Sequence, residues 1–229
     1  MGTPLVIAHR GDSSRALENS TEAVRLALSL PADMIEIDIR KSRDNGLYLM
    51  HDRDTGRTAD RKMDIEQSRS DEIARVRLKN DETVPTLRDI LRLVSGKAGL
   101  NVEIKSDGAG ALCAGLILQA GYGGRILISS FKEKELFKAR RVNPGLLTSQ
   151  IFDSFSPEDV KGYKARGYRV ISLSRKTVNE ELVAVCHEKK IKVFVWTLDR
   201  EEEIKKFIAW GVDGIYSNRP ALLKRLVEA

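Results

Sequence analysis

Short apolar runs that stop abruptly at a charged group recur along this chain. Between them lie stretches whose apolar residues return every three or four positions. The first run, Val6-Ile7-Ala8, ends at His9-Arg10-Gly11, and Met34-Ile35-Glu36-Ile37-Asp38, Leu49-Met50-His51-Asp52 and Asn101-Val102-Glu103-Ile104-Lys105 follow the same design. Runs of this length and composition read as buried strands that deliver polar groups at their C-terminal ends. Further strands are predicted over residues 126 to 130, 146 to 151, 169 to 173, 192 to 197 and 214 to 217.

The intervening pattern is helical. Asn19-Ser20-Thr21-Glu22 supplies a cap ahead of an apolar periodicity over 23 to 28, and Pro31 is expected to close that helix. Helices are likewise predicted over 86 to 94, 109 to 120, 132 to 141, 156 to 166, 179 to 190, 201 to 209 and 221 to 227. Asn45-Gly46 favours a tight turn, so 47 to 50 should return antiparallel onto the second strand. Residues 53 to 85 are charged and lack a strong strand signal, which marks an excursion from the repeating scheme. With the 47 to 50 arm set aside, eight strands alternate with helices. The fold class expected is therefore α/β, a (β/α)8 TIM barrel with a small insertion after the second strand, spanning residues 1 to 229 as one domain and holding the hairpin and insertion within 40 to 85. A doubly wound open sheet is the competing architecture, but no G-x-G-x-x-G turn follows the opening strand.

Composition narrows the function more than the fold. The chain has 229 residues, 41% of them hydrophobic and 31% charged, which suits a folded, soluble enzyme and excludes a disordered chain. Its formal charge of +6 favours anionic partners, yet basic and acidic residues are interspersed, so a small phosphate-bearing molecule fits better than nucleic acid. Cys113 and Cys186 stand far apart and form neither a thiolate metal motif nor a disulfide framework. No apolar run approaches a membrane span, and the first strand begins too near Met1 for a signal peptide, so a cytoplasmic location without stable membrane insertion is expected. The sequence leaves the oligomeric state open.

Glu36 and Asp38 are two apart on a strand, so both point to one face while Ile35, Ile37 and Ile39 point to the other. Glu103 and Lys105 repeat the arrangement against Val102 and Ile104. Three carboxylates inside one barrel mouth would repel one another unless compensated, and a divalent cation with a preference for oxygen, Mg²⁺ or Ca²⁺, would compensate them. Ion pairs with Lys105 and nearby arginines are the alternative. His9 and His51 each stand where a strand meets a loop, and two imidazoles suit a reaction that takes a proton from one oxygen and returns one to another. Each could instead only anchor a loop. His187, near a predicted helix end, is assigned no catalysis. Arg10 and Lys105 could hold a phosphate or serve as counter-ions to the acids. Trp196, at the end of a late strand, could wall a pocket or pack in the core.

Taken in order, His9-Arg10-Gly11, Glu18-Asn19-Ser20, Ile35-Glu36-Ile37-Asp38, His51-Asp52, Val102-Glu103-Ile104-Lys105, Ser129-Ser130-Phe131, Val195-Trp196-Thr197 and Gly211-Val212-Asp213-Gly214-Ile215 resemble the glycerophosphodiester phosphodiesterase family across essentially the whole chain. The resemblance implies a (β/α)8 barrel with an insertion after the second strand, a metal site of Glu36, Asp38 and Glu103, and His9 with His51 as the acid-base pair. It also implies phosphate contacts from Arg10 and Lys105 and an early active-site loop containing Glu18 and Asn19. Leu17-Glu18-Asn19-Ser20 departs from the family's usual Pro-Glu-Asn-Thr, which should loosen that loop slightly while keeping a hydroxyl. The implied activity is hydrolysis of a small glycerophosphodiester to an alcohol and sn-glycerol 3-phosphate. A lysophospholipase D acting on longer lipids, or a phosphate-binding barrel without turnover, are the competing readings.

Overall fold

The computed structural model describes residues 2 to 30 and 32 to 229, so the expected role of Pro31 falls outside the described residues. Among the described residues nine strands are formed: β1 (Leu5–Ala8), β2 (Met34–Lys41), β3 (Leu47–Leu49), β4 (Gly99–Ile104), β5 (Ile126–Ser130), β6 (Leu147–Phe152), β7 (Val170–Ser174), β8 (Lys192–Trp196) and β9 (Gly214–Ser217). Eight are parallel and run β1-β9-β8-β7-β6-β5-β4-β2, with β2 pairing back onto β1 to close the barrel. The ninth, β3, is added antiparallel on β2, as the Asn45-Gly46 turn predicts. Asn45 adopts φ +69, but Gly46 does not take a positive φ and Lys41 pairs with Leu47, so residues 42 to 46 form a longer connection than a two-residue turn.

Alternation along each strand sorts two cores. Ile35, Ile37 and Ile39 on β2, with Val102 and Ile104 on β4, pack outward against the helical layer. Ile7, Met34, Leu127, Val170, Phe194 and Tyr216 point inward and fill the barrel. Each fully buried branched or aromatic side chain of this kind contributes about 1.5–3 kcal/mol. Met34, Glu36 and Asp38 therefore share the inner face of β2, apolar at one end and acidic toward the other.

The helices are α1 (Thr21–Ser29), α2 (Ser70–Ile73), α3 (Leu87–Val94), α4 (Ala109–Gln119), α5 (Glu133–Val142), α6 (Asp159–Ala165), α7 (Glu180–Glu188), α8 (Glu201–Ala209) and α9 (Pro220–Val227). Side-chain caps start several of them: Ser20 accepts from the Ala23 N–H, Thr86 from Asp89 and Asn179 from Leu182. Each then lays an apolar stripe on the sheet, as Leu87, Ile90, Leu91 and Val94 do for α3. The helix predicted over 156 to 166 shortens to α6 because Ser156 hydrogen-bonds the Asp159 carboxylate and holds the approach as a turn. Close packing of α4 on α5 needs Gly110, where a Cβ would lie 2.2 Å from the Glu135 carbonyl oxygen.

The charged excursion carries a core of its own. Met50, Ala59, Ile65, Ile73, Val76, Leu78 and Val84 are buried together with Tyr48, separately from both barrel cores. Isolated bridges Asp54↔Asp64, Ala59↔Leu78 and Arg77↔Thr83, with the single-turn helix α2, complete it. Its apolar residues are spaced too irregularly for a strand or helix pattern, which is why periodicity indicates only a loop there. Among the described residues, no helix is long and apolar enough to cross a membrane. Cys113 and Cys186 are both free and buried.

Candidate active site

Pairing between β2 and β4 sets Glu36 opposite Asn101 and Asp38 opposite Glu103, so the two carboxylate-bearing strands present their acids side by side in the barrel mouth. Glu36, Asp38 and Glu103 each bring one oxygen within 4.8 Å of the others. All three are buried, Asp38 completely. The ion pairs of the alternative reading are present as well: Lys105 Nζ lies 2.5 Å from Glu103 Oε1 and 3.1 Å from Asp38 Oδ1, and Arg10 Nε lies 3.1 Å from Asp38 Oδ2. Two cations thus face three acids, and the balance is incomplete. Glu36 Oε1 is buried without a hydrogen-bond partner.

The electrostatics follow from that imbalance. Burial, then the neighbouring Asp38 and Glu103 charges, push Glu36 well above the usual carboxylate range. Burial likewise pushes Glu103 up to about 7, against the pull of Lys105. Burial acts on Asp38 in the same direction, but Lys105 and Arg10 outweigh it and hold this carboxyl below the usual range. A hard divalent cation would satisfy the orphaned oxygen and the surplus negative charge together, and an all-oxygen donor set is the chemistry such an ion prefers. The residues therefore fit a metal.

His9 follows β1 directly, and the turn after it is tightly constrained. Arg10 and Gly11 take φ +56 and +82. A Cβ on Gly11 would sit 2.6 Å from the Ala23 backbone, so glycine lets this turn lie against α1. The turn aims the Arg10 N–H at Glu36 Oε2, 2.8 Å away. His9 Nε2 stands 3.9 Å from the same oxygen, and its Nδ1 is 2.7 Å from Asn218 Oδ1. Burial, followed by the Arg10 charge, pushes the His9 imidazole down to about 4.

His51 is held from the opposite side. Arg40, on β2, donates from Nε and from a terminal nitrogen to the His51 carbonyl, at 3.0 and 2.8 Å, and is itself tied to Glu66 of the insertion. His51 Nδ1 is 2.7 Å from Asp52 Oδ1. Burial lowers this imidazole too, with Asp38 and Asp52 opposing the shift.

Glu18 does not line the cavity. One of its oxygens accepts from Arg10, and Arg57 of the insertion grips both. Arg57 also donates to Asp52 at 2.6 Å, joining the Glu18 loop to the His51 loop. Asn19, at φ +56, clamps Asp38 twice, donating to Oδ2 at 2.8 Å and accepting from the Asp38 N–H at 3.1 Å. Trp196 lines the cavity wall edge-on to Phe131, with ring centroids 5.9 Å apart. His187 pairs with Asp213 at 2.7 Å and is not among the residues that line the cavity.

His9, Arg10, Glu36, His51, Glu103, Lys105 and Trp196 all line one cavity of about 260 Å³, together with Asn101, Phe131, Ile151, Ser172, Thr197 and Tyr216. Sequence reasoning passed over Asn218, Asp199, Arg40 and Arg57. Asn218 directly follows β9, as His9 follows β1, and a polar residue just beyond a barrel strand is a signal that could have found it. Arg57 carries no such signal, because only the packing of the insertion brings it to the mouth.

A closed parallel barrel with acids and imidazoles at the C-terminal ends of its strands defines the molecule as a (β/α)8 enzyme. The Glycerophosphoryl diester phosphodiesterase family model matches residues 9–222, and the chain belongs to that family. It is 32% identical over 239 residues to the glycerophosphodiester phosphodiesterase of Caldanaerobacter subterraneus subsp. tengcongensis, covering 98% of both chains. The fold is shared with an Oleispira antarctica phosphodiesterase solved in complex with sn-glycerol-3-phosphate, at a TM-score of 0.91 and 22% identity over 99% of this chain and 98% of that one. It is shared also with the glycerophosphodiester phosphodiesterase of Thermotoga maritima, at a TM-score of 0.82 and 24% identity over 99% and 100%.

Proposed function

We propose that this chain hydrolyses small glycerophosphodiesters, such as glycerophosphocholine or glycerophosphoethanolamine, to an alcohol and sn-glycerol 3-phosphate. One observation carries the reading: two imidazoles, two carboxylates and two fixed cations line a single cavity of small-molecule size, and the buried Asp38 brings an oxygen within 4.8 Å of both acids. Membership of the family, and the product held by the Oleispira antarctica relative, support the same substrate class.

Glu36, Asp38 and Glu103 would hold a divalent cation, Mg²⁺ or Ca²⁺. When bound, that ion supplies Lewis-acid polarisation of a phosphoryl oxygen and a template for the ester. Arg10 and Lys105 bring positive charge to the phosphate, Arg10 with its orientation set by Glu18 and Asp38. One of His9 and His51 takes the proton from the attacking oxygen, and the other returns one to the departing alkoxide. Burial favours a neutral His9, able to accept a proton. Trp196 and Phe131 wall the side of the cavity where an alcohol head group can lie.

The test is turnover of both substrates with and without chelator, beside His9→Ala and His51→Ala. Loss of activity on chelation, restoration by Mg²⁺ or Ca²⁺, and a drop of roughly 10²- to 10⁴-fold for each histidine variant are expected. Undiminished turnover in chelator, or in both variants, would refute the reading.

A further inference from the structure

Among the described residues, the contacts behind His9 form a chain in which each hydrogen position dictates the next. Asp199 is a carboxylate and can only accept. Its Oδ1 accepts from the Asn218 backbone N–H at 2.8 Å and from Ser217 Oγ at 3.0 Å, and its Oδ2 lies 2.6 Å from Asn218 Nδ2. The Asn218 amide nitrogen must therefore face Asp199, which turns its oxygen toward His9. That oxygen also only accepts, and it lies 2.7 Å from His9 Nδ1. Ser13 Oγ, 2.9 Å from the same oxygen and 2.9 Å from the His9 carbonyl, has one hydroxyl hydrogen to give, and both oxygens within its reach are acceptors.

We propose that Asp199, acting through Asn218, sets the tautomer of His9, so that the imidazole carries its hydrogen on Nδ1 and presents an unprotonated Nε2 to the cavity. Asp199 and Asn218 are positioning residues. Their partner on the far side of the ring is the Nε2 that stands 3.9 Å from Glu36. The other tautomer would set an amide oxygen against the bare Nδ1 and leave Nε2 with a hydrogen, unable to take a proton. The functional half of this inference rests on the acid-base role proposed for His9, whereas the tautomer itself does not.

The test uses the full chain with ¹⁵N-labelled histidine and Mg²⁺ at pH 8, where an ordinary imidazole is neutral. Long-range ¹H–¹⁵N correlation spectra report the tautomer, and His9→Gln assigns the signal by its disappearance. The wild type should show the Nδ1–H form. The near-isosteric Asp199→Asn removes the obligation on the Asn218 amide, so an Nε2–H population should emerge while kcat falls roughly 10- to 100-fold and KM stays within about threefold. A wild-type spectrum dominated by Nε2–H overturns the proposal whether or not the variant folds. An Asp199→Asn spectrum identical to wild type also overturns it, even if activity drops, since the role would then be structural. Full turnover in His9→Ala would instead sink the acid-base reading and leave the tautomer standing.

Discussion

The two sides of the mouth are built differently. His9 is held by the barrel itself, through β1, the residue after β9 and the loop after β8, and its side chain is 15% exposed. His51 is held through Arg40 by Glu66 and through Asp52 by Arg57, both residues of the insertion, and its side chain is 34% exposed. One imidazole meets a neutral amide oxygen and the other a carboxylate. The barrel thus supplies a rigid acidic floor whose geometry follows from strand register, while the insertion supplies a charged rim whose geometry follows from ion pairs near solvent.

Removing the floor should have the largest effect. Glu36→Gln keeps the volume but deletes a charge from the acidic triad, and we expect turnover to fall by roughly 10³-fold or more, with metal affinity measured by calorimetry falling alongside. If metal affinity is unchanged, the triad is not the metal site.

Stability should divide along the same line. Ile37→Ala in the barrel and Ile73→Ala in the insertion each delete a completely buried side chain, at about 2–5 kcal/mol. The first should lower the global denaturation midpoint. The second should raise hydrogen exchange mainly within residues 50 to 85 and weaken activity through His51 before the barrel melts. Uniform loss of protection in both variants would show that the insertion and barrel unfold as one unit.

The floor should also respond to pH. Without a cation Glu103 is pushed up to about 7 and Glu36 well above its usual range, so both retain protons in mild acid. Metal uptake must expel those protons, and affinity should rise with pH by up to about tenfold per unit for each proton displaced, Glu103's share levelling off above about 7. Stability of the metal-free chain has the opposite sign. The folded state disfavours ionised Glu103, so this group's contribution is lost as pH rises from about 4.5, its unperturbed value, through about 7. Calorimetric proton release on Mg²⁺ addition, compared across buffers, checks the first sign, and denaturation midpoints of the metal-free chain across pH check the second.

The rim should yield the smallest change. Arg57 is about half exposed, so Arg57→Gln should cost less than about 1 kcal/mol of stability. It releases Glu18 from one side and Asp52 from another, and a loss of roughly three- to tenfold in kcat/KM is expected, reduced further in high salt. A loss as large as that of His51→Ala would show that the rim is as rigid as the floor.

Much of the barrel was legible in the residues because alternation with period two and capped periods of 3.6 are local properties. β2, β4, β5 and β9 emerge within a residue or two of their expected bounds, as do α3 and α8. The pairing of Glu36 with Asp38 and of Glu103 with Lys105 on inner faces follows from the same alternation. The insertion's core was not legible, since Ile65, Ile73, Val76 and Leu78 pack through turns and isolated bridges that leave no periodic trace.

What the chain determines alone is thus which side chains share a face and which stop at a strand end, because backbone geometry sets these over a few residues. Only the closed tertiary structure decides that Asn218, 209 positions along the chain from His9, orders that imidazole, or that Arg57 bridges two loops. Those contacts depend on barrel closure and on how the insertion folds over the mouth, and sequence neighbours carry no record of either.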